Sequence, residues 1–313
     1  MKRLIVLGAI VIAGGVTAAI VQAQQAAAPQ GRGGGGGFNF PPVSAAEKVA
    51  DNLYMIPGQG GNTAAWVMAN GVLLVDTKLA NNGQAILDEV KKVTDKPITY
   101  IINTHTHGDH TGSNQFFPAS VQIVTQANTA ANMAKMDVFK APANKQGLPD
   151  RTFTDKMSLF KGKEEVELRY FGAAHTSGDA FVIFKSVRVM HSGDAFANKG
   201  QPLIDRANGG SGVAYPATLK AAAKAIKNID KVIPGHAPVM TWQDFVDAGE
   251  FNQLMLDHAK AALAAGKTPE QALKEFTLPE SLKARGFTAP AAGRGGTGGN
   301  FTLIFDELKG GAR

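Results

Sequence analysis

Three imidazoles and a carboxylate fall within six residues of the stretch Thr104-His105-Thr106-His107-Gly108-Asp109-His110. A tight turn at the end of a strand points alternate side chains inward, so such a loop can converge on a metal ion. A solvated loop has no comparable use for so many His. Borderline divalent cations such as zinc take neutral imidazole nitrogen and carboxylate oxygen, and they need those ligands deprotonated. One loop cannot complete two coordination shells, so further ligands must come from other strand ends. Three candidates stand out: His175 in Gly172-Ala173-Ala174-His175-Thr176, Asp194 in His191-Ser192-Gly193-Asp194, and His236 in Pro234-Gly235-His236. Each follows a run that reads as a strand and lies close to Gly. Taken alone, His175 or His236 reads more readily as a hydrogen-bonded structural histidine.

The elements that must position these residues alternate short β-rich runs with Ala-rich helical ones. Strands are predicted at Leu53–Ile56, Ala64–Ala69 and Val72–Val75, the last two joined by the hairpin turn Asn70-Gly71. A helix over Asn82–Val93 leads to a strand at Ile98–Asn103, directly before the His-rich loop. Further strands are predicted at Val121–Thr125, Glu165–Phe171, Ala180–Lys185, Arg188–His191 and Lys231–Ile233. Helices are predicted at Thr129–Met136, Pro216–Asn228, Gln243–Ala265 and Pro269–Phe276, with Pro216 and Pro269 at first-turn positions where a missing N–H costs nothing. Mixed order with early hairpins implies an α/β (α+β) protein of helix-covered sheets, not a purely parallel doubly wound fold.

The pattern His-x-His-x-Asp-His at 105–110, followed by isolated His, Asp and His, resembles the metallo-β-lactamase-fold hydrolase superfamily over Val49–Trp242. That resemblance implies a four-layer αβ/βα sandwich with a dinuclear site between the sheets. Carried over position by position, it places His105, His107 and His175 on a first metal, and Asp109, His110 and His236 on a second. Asp194 would bridge the two, and Asp76 in Val75-Asp76-Thr77 would support the metal loop from behind. Five of the seven His of the chain fall in the pattern and in its order, which favours ligands over structural histidines. Of the other two, His191 is expected to support Asp194 from beside it. His258 is expected to pack in the helix Gln243–Ala265.

Two divalent cations close together lower the pKa of a shared water toward neutrality and polarise a carbonyl or phosphoryl oxygen. The expected reaction is therefore hydrolysis by a metal-bridging hydroxide, with Asp109 as both ligand and the group that orients the nucleophile or shuttles its proton. Zinc is the first expectation, with iron or manganese as alternatives. Familiar β-lactamase subclasses carry Cys at the position of Asp194, and this chain has no Cys. An Asp bridge looks like the glyoxalase II, lactonase and phosphodiesterase branches. The expected substrate is a small molecule with an ester, lactone, thioester or amide bond; β-lactam hydrolysis is the alternative, as primary or side activity. An iron-dependent oxidoreductase on the same scaffold is a second alternative, although flavin-coupled diiron relatives usually carry Glu where this chain has His107. A non-enzymatic binding protein with a vestigial site is disfavoured by the complete ligand set. For substrate contacts, Lys199 and Asn198 are the candidates after Asp194, with Asn208 and Tyr215 as weaker ones, and Trp66 and Phe196 as a possible apolar wall.

Absence of Cys also excludes a disulfide scaffold, an iron–sulfur centre and a thiol nucleophile. Residues 1–23 open with Lys2 and Arg3, run apolar from Leu4 to Val21 and end Val21-Gln22-Ala23, the pattern of a cleavable signal peptide. A periplasmic or secreted location is expected, with no stable membrane insertion after cleavage. Loss of Lys2 and Arg3 lowers the formal charge from +6 to +4, and no nucleic-acid partner is expected. Residues 24–42, with Pro29–Pro42 reading PQGRGGGGGFNFPP, form an expected tether before a hydrolase domain at 43–290. Gly293–Gly299 is read as a second tether within a tail, 291–313, that ends in a short strand or helix at Phe301–Phe305.

Overall fold

The computed structural model describes residues 40–293 and 295–310. The expected signal peptide, and the tether up to Asn39, lie outside the described residues. The first sheet contains β1 (Glu47–Ala50), β2 (Leu53–Ile56), β3 (Thr63–Met68), β4 (Gly71–Val75), β5 (Ile98–Asn103), β6 (Gln122–Gln126) and β7 (Arg151–Phe153), side by side in chain order. Neighbours from β1 to β4 are antiparallel, and those from β4 to β7 are parallel. The second sheet runs from β8 (Lys156–Leu159) through β9 (Val166–Arg169), β10 (Phe181–Phe184), β11 (Val189–Gly193) and β12 (Lys231–Pro234) to β13 (Met240–Thr241). Only β11 and β12 pair in parallel there.

Helices cover both outer faces. On the first sheet lies α1 (Gly83–Lys91); α2 (Gly108–Thr111), α3 (Ala127–Met133) and α4 (Asp137–Lys140) follow β5 and β6. The second sheet is covered by α5 (Tyr215–Ala225), α6 (Trp242–Ala264), α7 (Pro269–Glu275), α8 (Glu280–Ala284) and α9 (Asn300–Leu308). The strands are apolar on both faces because both are covered. On β4, Leu73 and Val75 point between the sheets, while Val72 and Leu74 meet Ile86 and Val90 of α1. On β10, Val182 and Phe184 point inward, while Phe181 and Ile183 join the core under α5 and α6. The period of two along each strand thus builds three cores from two sheets, and the result is an αβ/βα sandwich.

Of the strand or helix expected near the C-terminal end, the helix forms, as α9. Phe301, Ile304 and Phe305, at the i, i+3, i+4 spacing of one helical face, are buried in the same core as α6 and α7. Residues 295–299 pack closely instead of hanging as a tether: a Cβ on Gly298 would meet Pro269 Cβ at 2.6 Å, and Gly299 has φ +54°. Composition does not separate glycines that loosen a chain from glycines that let backbone pack closely. Trp66 and Phe196 are also core residues, 3% and 2% exposed, and supply no wall to a groove. Among the described residues, no helix is long and apolar enough to cross a membrane.

Candidate metal centre

The strand ends of both sheets deliver the candidate ligands to one place. From the first sheet, β5 runs into His105 and His107, and α2 carries Asp109 and His110. From the second, the turn between β9 and β10 carries His175, the end of β11 carries Asp194, and the end of β12 carries His236. Two groups of donor atoms result, His105, His107, His175 with Asp194, and Asp109, His110 with His236; within each, the atoms lie within 4.8 Å of one another. Asp194 reaches both, with Oδ2 at 3.7 Å from His175 Nε2 and 3.2 Å from His236 Nε2, and Oδ1 at 3.3 Å from His110 Nε2. His236 Nε2 also lies 3.3 Å from Asp109 Oδ2. Close approach demands glycine at two points: a Cβ on Gly235 would fall 1.8 Å from Asp194 Oδ1, and one on Gly61 would fall 2.1 Å from the His110 ring.

Each ring is oriented from behind. Asp76 ends β4 in the left-handed region at φ +61°, a conformation Asp tolerates better than most side chains. Its carboxylate is fully buried and accepts from Thr104 N at 2.8 Å, Thr104 Oγ1 at 2.7 Å and His110 Nδ1 at 2.7 Å. Thr104 Oγ1, whose proton goes to Asp76, in turn accepts from His105 Nδ1 at 3.0 Å. His175 Nδ1 donates to the Leu203 carbonyl at 2.7 Å, and His107 Nε2 donates to Asp205 Oδ2 at 2.6 Å. These bonds leave Nε2 of His105 and His175, and Nδ1 of His107, as lone pairs turned inward.

That arrangement fits a bound cation. His105 Nε2 and Asp194 Oδ1 are buried without a hydrogen-bond partner, a costly state for polar atoms. His107 Nδ1 and His175 Nε2 face each other at 3.0 Å although the other nitrogen of each ring is already the donor. Two opposed lone pairs repel unless a positive charge lies between them. Electrostatics separates the two groups. Burial, with neighbouring imidazoles, holds His105 well below the usual histidine range and His175 at about 4. Burial also opposes charge on His110 and His236, but Asp194 and Asp109 outweigh it, raising His236 to about 9 and His110 well above its usual value. Burial likewise disfavours the Asp109 anion, yet His110 and His236 hold it at about 2.

The other sequence candidates have different places. His191 is buried; it accepts from Gly193 N at 3.1 Å and donates to the Asn62 carbonyl at 3.0 Å, so it braces the residue before Asp194. The Asn62 side chain in turn donates to the carbonyls of Pro234 and Ala237, on either side of His236. Lys199 does not offer a free ammonium: it pairs with Asp244 at 2.8 Å and donates to the Arg285 carbonyl at 2.9 Å. Asn198 is exposed on the same loop. Tyr215 is buried, and its hydroxyl donates toward the carbonyls of Asp194 and Ala195, bracing the loop from below. Asn208 donates to Asp205 at 2.6 Å, holding the carboxylate that orients His107. His258 donates to the Ala272 carbonyl between Phe276 and Phe301 and belongs to the helical core. Sequence reasoning missed Asp205, Thr104, Asn62 and Lys78. Lys78 is fully buried beside the site, its Nζ bonded to the Ile56 and Gly61 carbonyls at 2.7 and 3.0 Å.

Known proteins share this architecture. A metallo-β-lactamase type 2 of Elizabethkingia meningoseptica is 25% identical over 162 residues, 49% of this chain and 62% of that protein. The uncharacterized protein YobT of Bacillus subtilis is 27% identical over 207 residues, 63% of this chain and 78% of that one. Among solved structures, the inverting sec-alkylsulfatase Pisa1 from Pseudomonas sp. superposes with a TM-score of 0.71 at 13% identity, covering 84% of this chain and 50% of its own. A metallo-β-lactamase from Pontibacter korlensis superposes with a TM-score of 0.58 at 18% identity, over 68% of this chain and 99% of its own. This chain thus spans under two thirds of the Elizabethkingia enzyme and half of the sulfatase. The family model of the metallo-beta-lactamase superfamily matches residues 58–236, which run from the glycine loop beside Asp109 to His236. The chain belongs to the metallo-β-lactamase superfamily, whose members are mostly hydrolases.

Proposed function

We propose that this protein is a dinuclear metal-dependent hydrolase, with zinc as the metal, that cleaves an ester, lactone, thioester or amide bond in a small molecule. The observation that carries this reading is the pair of donor groups sharing Asp194, in which the far ring edges of His105, His107, His110 and His175 are already committed. His105, His107 and His175 would hold one ion, Asp109, His110 and His236 the other, and Asp194 both. When bound, such a pair supplies Lewis acidity and brings a water to hydroxide near neutral pH. The residues contribute position. Asp109 stays anionic and its side chain is 19% exposed, so a carboxylate oxygen can accept a hydrogen bond from the attacking water and orient it. Asp76 and Asp205 keep the rings of His110 and His107 from turning, which holds the nucleophile's surroundings fixed before substrate arrives.

Metal analysis and turnover test this together. Natively purified protein is expected to carry about two zinc per chain and to hydrolyse at least one of a lactone, a thioester, nitrocefin and a secondary alkyl sulfate. Nitrocefin and the sulfate belong in the panel because of the relatives' activities. His105→Ala and Asp109→Asn should abolish turnover with an unchanged circular dichroism spectrum. Full activity after metal stripping would overturn the reading; iron with oxygen consumption would favour an oxidoreductase instead. Export is proposed on the pattern of residues 1–23. Its check is recovery of a chain starting at Gln24 from the periplasmic or culture fraction.

A further inference from the structure

Two of the three rings that would hold one ion take their orientation from a single segment, residues 202–213, between β11 and α5. Leu203 offers its carbonyl to His175 Nδ1 at 2.7 Å, and Asp205 offers its carboxylate to His107 Nε2 at 2.6 Å. The segment also grips the backbone of the turn that carries His175. Asp205 N donates to the His175 carbonyl at 2.9 Å, and Ser211 N donates to the Ala174 carbonyl at 2.9 Å. Gly210 lies so close that a Cβ there would fall 2.3 Å from the His175 carbonyl oxygen. The segment holds no strand and one short helical turn, Arg206–Asn208, so regular structure of its own does not fix its place.

The clasp that fixes it is α9. Asn300, buried at the start of the helix, donates its side-chain amide to the Pro202 carbonyl at 2.7 Å, one residue before Leu203. Glu307, seven positions on and so on the same helical face, reaches the far end of the segment. Its carboxylate accepts from the Ser211 hydroxyl and from Val213 N at 3.3 Å, and pairs with the Arg206 guanidinium at 2.8 Å. Between these two contacts Ile304 packs into the core with Ile204, over Gly212, where a Cβ would fall 2.6 Å from the Ile304 side chain. The Glu307 side chain is 13% exposed, which shields these charge-assisted bonds from water. The other donor group is held from elsewhere. Asp76 fixes His110, and Asn62 fixes the backbone on either side of His236, both from the first sheet.

We infer that Glu307 and Asn300 are positioning residues that act through residues 202–213 to aim His107 and His175 at the ion those rings share with His105. The inference rests on the dinuclear reading, and the experiment separates the two. Zinc affinity is measured by calorimetry on the full chain, on His236→Ala, which leaves the three-histidine group intact, and on His175→Ala, which leaves the other group intact. Glu307→Ala and Asn300→Ala are then added to each. In the His236→Ala background Glu307→Ala should weaken zinc about three- to tenfold, at or below the least that loss of a group bonded directly to a ligand costs. In the His175→Ala background it should change affinity by less than about twofold, as for distant independent sites. Glu307→Gln, which still accepts from the Ser211 hydroxyl, should retain part of the lost affinity. Should Glu307→Ala fail to fold, Glu307→Gln and Asn300→Ala carry the same comparison. Ile86→Ala, a cut in the core beneath α1, controls for general loosening: it should lower stability in urea and change neither affinity. Equal weakening of both groups, weakening of neither, or the same selective loss in Ile86→Ala overturns this inference alone. Absence of bound zinc from the unsubstituted chain overturns the dinuclear reading and this inference with it.

Discussion

Replacing Asp76 by Asn should weaken the binding of one metal far more than that of the other. Asn keeps the size of Asp and tolerates the positive φ, so the backbone at β4 is not asked to change. Its carbonyl can still accept from Thr104 N. Its amide, however, puts donors where the Thr104 hydroxyl and His110 Nδ1 now donate, at 2.7 Å each. Two hydrogen bonds to a buried carboxylate are lost, each worth about 1.5–3 kcal/mol, so destabilisation of about 3–6 kcal/mol is expected. Facing the new donor, His110 gives up its Nδ1 proton and keeps the one on Nε2, the nitrogen that faces Asp194 at 3.3 Å. That proton occupies the lone pair needed for the ion shared with Asp109 and His236. Affinity there should fall by about 10- to 100-fold, and by less at the His105, His107, His175 group, where Asp76 acts only on His105 and through the Thr104 hydroxyl. Calorimetric zinc titration gives both affinities, and urea unfolding of the metal-free protein gives the stability. Two ions bound at native affinity, or stability unchanged within about 0.5 kcal/mol, would refute the assignment of Asp76 as the group that fixes the His110 tautomer.

Zinc entering the Asp109, His110, His236 group should expel the protons of both His110 and His236, which the neighbouring carboxylates keep charged at pH 7 despite burial. Affinity there should weaken as pH falls from about 9, whereas His105 and His175, held below the usual histidine range by burial, release almost none; calorimetry in buffers of different ionisation enthalpy counts the protons, and a release no greater than one proton on filling the Asp109, His110, His236 group would refute the distinction. Lys78 is brought by burial to about 7 in the folded chain, against about 10.4 when unfolded. The unfolded chain therefore holds more protons between those values, and metal-free stability should rise with pH there by up to about 1.4 kcal/mol per pH unit from this group. In Lys78→Met that increment should vanish, and parallel stability–pH curves for the two proteins would count against it. Phe301→Ala should cost about 3–5 kcal/mol in urea unfolding, because the ring is fully buried in the outer core; a loss below about 1 kcal/mol would mean that α9 is dispensable.

Local pattern carried much of this architecture. The strand Ile98–Asn103 has the expected limits, and Pro269 opens α7 as its first-turn position implies. Both follow from signals held within a few residues. The polar edge strands Glu47–Ala50, Arg151–Phe153 and Lys156–Leu159 were missed because they have an open side and need no continuous apolar run. At the site, the ligand pattern was legible because neighbouring residues on one loop share a task. Asp205 and Asn62 were not, because nothing in their own neighbourhood distinguishes a carboxylate aimed at His107 or an amide aimed at the Pro234 carbonyl. Lys199 misled for a related reason: its partner Asp244 comes from a helix 45 positions later.

The burial of α9 bears on the order in which this molecule can be made. Chain synthesis delivers β1 to β7 and their cover α1 first, so the inner and outer faces of the first sheet have partners early. The second sheet has no such schedule. Phe181 and Ile183 of β10 share their core with Phe301 and Phe305, about 120 residues downstream. At a synthesis rate of roughly 5–20 residues per second, that outer face waits many seconds for its last partners. Through that interval His175, Asp194 and His236 hang from a sheet whose back is incomplete. The sheet that carries three of the seven donors thus depends for its outer cover on a helix at the far end of the described chain.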